Sequence, residues 1–115
     1  RFIADNDKMR SKGLMHADPL EENEVAFFVF DYPDCYSFWN KNVDFGLSLA
    51  FLDKDFKILD IKDMDAHSEK SCVPKSNNVQ FVVEANQGTF KNNNIGIGDK
   101  LILKGKKLIL DKETK

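Results

Sequence analysis

Residues Val25 to Phe30 read V-A-F-F-V-F, apolar on both faces that an extended chain presents and rich in strand formers. Such a strand needs cover above and below, so it is expected inside a sheet that is packed on two sides. The length permits this, since 115 residues suffice for one domain with a real core and are too few for two ordinary ones. Hydrophobic residues at 42% and charged residues at 31% also separate the chain from disordered and membrane-embedded compositions.

The remaining segments fit around that strand. Phe2-Ile3-Ala4 is a short apolar start, Asp5-Asn6-Asp7 can cap a helix, and Met9 to Met15 carries that helix to Gly13 or just past it. Pro19 and the acidic residues 21–24 make a solvated loop. Asp31-Tyr32-Pro33-Asp34 has turn chemistry, and Cys35 to Trp39 is expected to return as a strand. Leu47, Leu49 and Phe51 alternate with Ser48, Ala50 and Leu52, and Asp53-Lys54-Asp55 turns this strand into Phe56 to Ile61. Residues 63–78 are polar and form a long loop of the functional or mobile kind. Val79 to Glu84 is another strand, Gly88 to Asn94 a short helix or turn, and Leu101-Ile102-Leu103 pairs with Leu108-Ile109-Leu110 in a terminal hairpin. The sum is an α+β fold, mostly β: a curved antiparallel sheet or partly open barrel of about seven strands with one or two short helices. Residues 1–110 are expected to form the domain and 111–115 a short polar tail.

Charge narrows the partners. Lys and Arg number 17 against 19 Asp and Glu, a net charge of −2, which lacks the broad attraction that non-specific nucleic-acid binding or adhesion to anionic lipid requires. No apolar run approaches the ~20 residues of a membrane span, so neither nucleic acid nor membrane insertion is expected. Residue 1 is Arg, and both an exported and a cytoplasmic location stay open. Cys35 and Cys72 match no redox or zinc spacing; one disulfide and two reduced thiols are both open.

The ordered set of short motifs is the specific signal. A helix ending in Gly13-Leu14-Met15, then Phe38-Trp39-Asn40-Lys41-Asn42, Ala50-Phe51-Leu52-Asp53, Val82-Val83-Glu84 and Ile97-Gly98-Asp99 resembles the domain of unknown function 192 (DUF192) family over nearly the whole chain. Asn40 stands where that family usually has Met, Val43 where it has Thr, and Gly46 and Ser48 where it has Pro and Asp. The resemblance implies a small β-rich domain with no established biochemical activity, found in bacteria, archaea and some phages and often exported.

Phe38 to Asn42 is also the strongest local signal for a site. On a strand Phe38 and Trp39 point to opposite faces, so one can fill the core while the other walls a groove. Trp39, Asn40, Lys41 and Asn42 could then hold a small polar or anionic ligand, a peptide or a protein, with Asp53 and Glu84 as nearby acids. The bland alternative makes Trp39 core, pairs Lys41 with Asp53 or Glu84, and leaves Asn40 and Asn42 to set a turn. Catalytic groups are sparse. His67 shares a loop with Asp63, Asp65, Glu69 and Cys72, and His16 stands apart, without a spacing that any metal site demands. A thiol nucleophile at Cys35 or Cys72 lacks an identifiable base, and Gly96-Ile97-Gly98 lacks the third glycine of a phosphate cradle. Lys104-Gly105-Lys106-Lys107 reads as a solvated hairpin tip, and Met9, Leu14 and Met15 as core. No metal, cofactor or catalytic set is therefore expected, and a non-catalytic binding or interaction module is the leading reading. The alternatives are a small hydrolase-type enzyme using the same groove with Lys41 and Asp53 or Glu84, and a structural part of a larger assembly such as a phage particle. A pocket lined by these residues with a raised carboxyl pKa would favour the enzyme, and a flat apolar patch would favour association.

Overall fold

The computed structural model describes residues 2–104 and 109–112. Seven strands and two short helices follow one another as β1 (Phe2–Ala4), α1 (Asp7–Lys12), β2 (Ala26–Asp34), β3 (Leu47–Leu52), β4 (Ile58–Met64), β5 (Val79–Asn86), α2 (Thr89–Asn92), β6 (Leu101–Lys104) and β7 (Ile109–Lys112). Five strands form one sheet in the order β1-β2-β5-β3-β4, and β6 and β7 form a separate ribbon. The fold is α+β and mostly β, as expected. It is neither wholly antiparallel nor a barrel: β1 runs parallel to β2, the sheet stays open, and the last two strands do not join it.

Both doubly apolar strands are interior. β2 and β5 pair antiparallel in the middle of the sheet, with Phe28 opposite Val82 and Phe28 fully buried. β3 is buried at all six positions. Leu47, Leu49 and Phe51 pack with Phe28, Val82 and Leu14 on one face, while Ala50 and Leu52 pack with Val25, Val83 and Phe90 on the other. The sheet thus carries two cores. The first is covered by α1 and the loops that follow β2 and β4, and the second by α2 and the segment around Ile95 and Leu101.

Three local expectations change. Residues 31–34 do not turn but continue β2, with a register shift between Val29 and Asp34. Pro33 has no N–H for a ladder, and an irregular stretch of strand is where it is tolerated. Residues 35–39 accordingly do not form a strand; among them only Phe38 pairs, in an isolated bridge to Cys72. Aromatic packing holds this segment instead. Tyr36 stacks on Phe30 at 3.6 Å between centroids, and Phe38 meets Phe28 edge-on at 5.1 Å. The third change is at the hairpin after β3, where Phe56 takes a φ of +66° and β4 begins only at Ile58. Strand β7 runs through Lys112; residues 113–115 of the expected tail and residues 105–108 of the expected hairpin turn lie outside the described residues.

Helix α1 is six residues long and is held by its ends. The Asn6 side chain accepts from the Met9 N–H at 2.9 Å, and Gly13, at φ +53°, closes the last turn by donating to the Met9 carbonyl. That left-handed residue turns the chain so that Leu14 enters the core.

Candidate functional site

Between α1, the aromatic end of β2 and the segment 36–43 lies a cleft of about 780 Å³. Phe28, Phe30, Tyr36 and Phe38 line it from the core side, Tyr32 and Trp39 stand at its mouth, and Glu84 and Asn40 are its buried polar residues. Tyr32 and Trp39 are 64% and 48% exposed, which leaves aromatic faces available to a ligand.

Glu84 sits on central strand β5 between Ala26 of β2 and Leu49 of β3, both fully buried. It is 3% exposed and makes no hydrogen bond or ion pair among the described residues. With nothing to compensate its charge, burial pushes its carboxyl up to about 8. The group is therefore protonated at neutral pH, able to donate through O–H and to accept through C=O.

Asn40 is 1% exposed and its amide is fixed. Its Nδ2 donates to the carbonyls of Phe45 and Asp65, each at 2.9 Å, and so ties the entry to β3 to the exit from β4. Its Oδ1 is buried without a partner. A buried acceptor left unmade costs on the order of 1–3 kcal/mol, so its presence beside a cleft is informative.

The other expected site residues divide. Trp39 lines the cleft, with the Lys41 ammonium 5.3 Å from its ring centroid. Phe38 and Trp39 do part company as the sequence suggests, Phe38 packing on Phe28 and Phe51 while Trp39 stays exposed. Lys41 and Asn42 lie outside the cleft lining, and Lys41 pairs with neither Asp53 nor Glu84 among the described residues. Asn42, at φ +59°, accepts through its carbonyl from the His16 N–H, which is a turn role. Asp53 is at the far end of β3, where its Oδ1 accepts from the N–H groups of Asp55 and Lys57 and closes the hairpin.

Sequence reasoning missed Arg10. Its guanidinium donates to the Val29 carbonyl at 2.6 Å, pairs with Asp7 at 2.8 Å and lies over the Phe30 ring at 5.4 Å, forming one wall. The i, i+3 spacing of Asp7 and Arg10 on an expected helix was the available signal. Among the described residues no three His, Cys, Asp or Glu side chains gather as a metal site. His67 instead faces Asp44 at 3.2 Å, and Cys72 is buried, its thiol pushed up to about 11 by that burial, while Cys35 is an exposed free thiol. Gly96 and Asp99 close a tight turn, the Gly96 N–H donating to Asp99 Oδ2.

A family model described as uncharacterized ACR, DUF192, matches residues 2–103. The chain belongs to the DUF192 family. Two solved structures resemble it closely. One is a protein of unknown function from Novosphingobium aromaticivorans, with TM-score 0.80 and 26% identity over 85% of this chain and 70% of that one. The other is "a putative transcription regulator" from Sinorhizobium meliloti, with TM-score 0.81 and 27% identity over 85% of this chain and 76% of that one. No curated protein matches. Within the DUF192 frame, two departures from the family's usual residues bear on geometry. Asn40 brings the amide just described. Gly46 permits close contact, since a Cβ there would lie 2.7 Å from the Gln87 side chain, whose amide donates to the Met64 carbonyl. No helix among the described residues is long and apolar enough to cross a membrane.

Proposed function

We propose that this DUF192 chain is a ligand-binding module whose cleft takes a small uncharged molecule, gripped by Asn40 and Glu84 and flanked by Trp39 and Tyr32. One observation carries the reading: two buried polar side chains, Asn40 at Oδ1 and Glu84 at its carboxyl, have no partner among the described residues and line an aromatic-walled cleft of about 780 Å³. Pockets that bind small molecules have this composition, a mostly apolar lining with few polar groups and a volume of roughly 300–1,000 Å³. The test is a screen of uncharged hydroxyl- and amide-bearing fragments against the isotope-labelled chain by NMR. Hits are expected to shift the Asn40 side-chain amide and the Trp39 indole together. A screen in which every hit leaves both signals unmoved would overturn the reading.

The raised Glu84 carboxyl favours a second reading, a small hydrolase in which Glu84 is the general acid, because such a group must be protonated at working pH. Asp7 and Asp31 also line the cleft and are the candidates for its base. Hydrolysis of a hit compound that Glu84→Gln abolishes without weakening its binding would select this reading over the module.

A further inference from the structure

We propose that the ligand of this cleft is an uncharged polyhydroxylated ring, a saccharide of one or two units. Its hydroxyls would join Asn40 Oδ1 and the Glu84 carboxyl, and its C–H face would lie on Trp39 or Tyr32. The inference rests on the cleft-binding reading and adds the chemical class. Its first support is the direction of bonding at Asn40. Both amide hydrogens go to carbonyl oxygens, of Phe45 and Asp65, so turning the amide round would lose both bonds; Oδ1 is an acceptor and needs a donor from the ligand. Glu84, held protonated by burial, offers a donor and an acceptor. A hydroxyl both donates and accepts, so one functional group serves both residues. An ionised carboxylate has no proton for Asn40, and a phosphate group near neutral pH is largely ionised.

Charge on the walls argues the same way. A cationic ligand would be repelled by the protein's own cations at these rings, Arg10 over Phe30 at 5.4 Å and Lys41 over Trp39 at 5.3 Å. An anion would meet Asp7 and Asp31 along the lining, and Arg10 is already committed to Asp7 and the Val29 carbonyl. What remains for a neutral ring is exposed aromatic surface at the mouth, on Tyr32 and Trp39, whose electron-rich faces attract the weakly positive C–H bonds of a sugar.

The experiment titrates the isotope-labelled full chain with two matched pairs: N,N′-diacetylchitobiose against its deacetylated, cationic form, and cellobiose against cellobiouronic acid. At least one neutral disaccharide is expected to shift the Asn40 side-chain amide and the Trp39 indole saturably, with its charged counterpart at least tenfold weaker. Trp39→Ala, a change at an exposed position, should weaken binding tenfold or more. Glu84→Gln keeps a donor and an acceptor and should bind within threefold of the parent, whereas Glu84→Leu should lose binding while retaining a folded spectrum. Equal binding by the charged members, or no shift at Asn40 with any of the four sugars, would overturn the saccharide inference. In that event fragment hits at Asn40 and Trp39 in the screen above would leave the cleft reading standing, and their absence there would remove it as well.

Discussion

Glu84 is an acid where its charge is disfavoured, and that has a pH signature. Below the ordinary value of 4.5 the carboxyl is protonated whether the chain is folded or not. Between there and about 8 the unfolded chain releases the proton and the folded chain keeps it, so the folded state binds more protons and stability falls as pH rises. Above about 8 the loss is complete. Urea unfolding across this range should therefore show a component of stability that declines from pH 4.5 to 8 and levels off, and carboxyl-carbon NMR should place the Glu84 midpoint near 8. Lys41 predicts the reverse case. It is exposed and among the described residues has the Trp39 ring as its partner, so Lys41→Met, which keeps the stem, should change stability by less than about 1 kcal/mol in a thermal melt. A larger loss would mean that Lys41 has a structural partner. At this scale the sequence named candidate residues but not their surroundings. Asn40, Trp39 and Glu84 meet at the cleft, while Asp53 is absorbed by its own hairpin, because a side chain's partner depends on register and loop path rather than on residue type.

The elements legible in the sequence were those whose pattern is local. β3 and β4 announce themselves by alternation around an Asp-Lys-Asp turn, and β2 by six apolar residues with strand propensity. Phe28, at the centre of β2, is fully buried, so Phe28→Asp should leave no cooperative unfolding transition in circular dichroism, since the fold would have to bury an unpaired charge. A soluble, cooperatively melting variant would contradict the placement of β2. The segment after β2 was not legible. Turn residues 31–34 were overridden by pairing of Asp34 with Val79, and strand-like residues 35–39 by stacking on Phe30, both contacts with distant or previously formed elements. The same segment brings Phe38 against Cys72 and so shields one thiol but not the other. A thiol reagent should modify Cys35 at once and Cys72 only slowly, because Cys72 is buried and its thiol is pushed up to about 11. Equal rates would mean that the loop after β4 is not packed as described.

At the scale of the molecule, the cleft is assembled from α1 and the residues just after it, β2, the segment 36–43, Ser71 of the loop after β4 and one residue of β5, parts separated by most of the chain. No local pattern encodes such a site, which is why the family resemblance implied a β-rich domain and the Phe38–Asn42 segment suggested a groove, while the cleft's lining came only with the tertiary structure. The arrangement has a common physical theme. Two cores satisfy the apolar residues on both faces of the sheet, and the exception among the described residues is a pair of buried polar residues, Asn40 and Glu84, that line one cleft. Polar groups left unsatisfied at a cost in stability are what the proposed ligand-binding reading requires. The most direct test compares equilibrium unfolding of the parent and Glu84→Gln without ligand, at pH 8 and at pH 4. If the acid is held for a ligand rather than for the fold, Glu84→Gln should be more stable by about 4 kcal/mol at pH 8, with the gap closing at pH 4 where both chains carry a neutral group. A Glu84→Gln chain no more stable than the parent at pH 8 would contradict the account, because it would mean that Glu84 is satisfied within the fold.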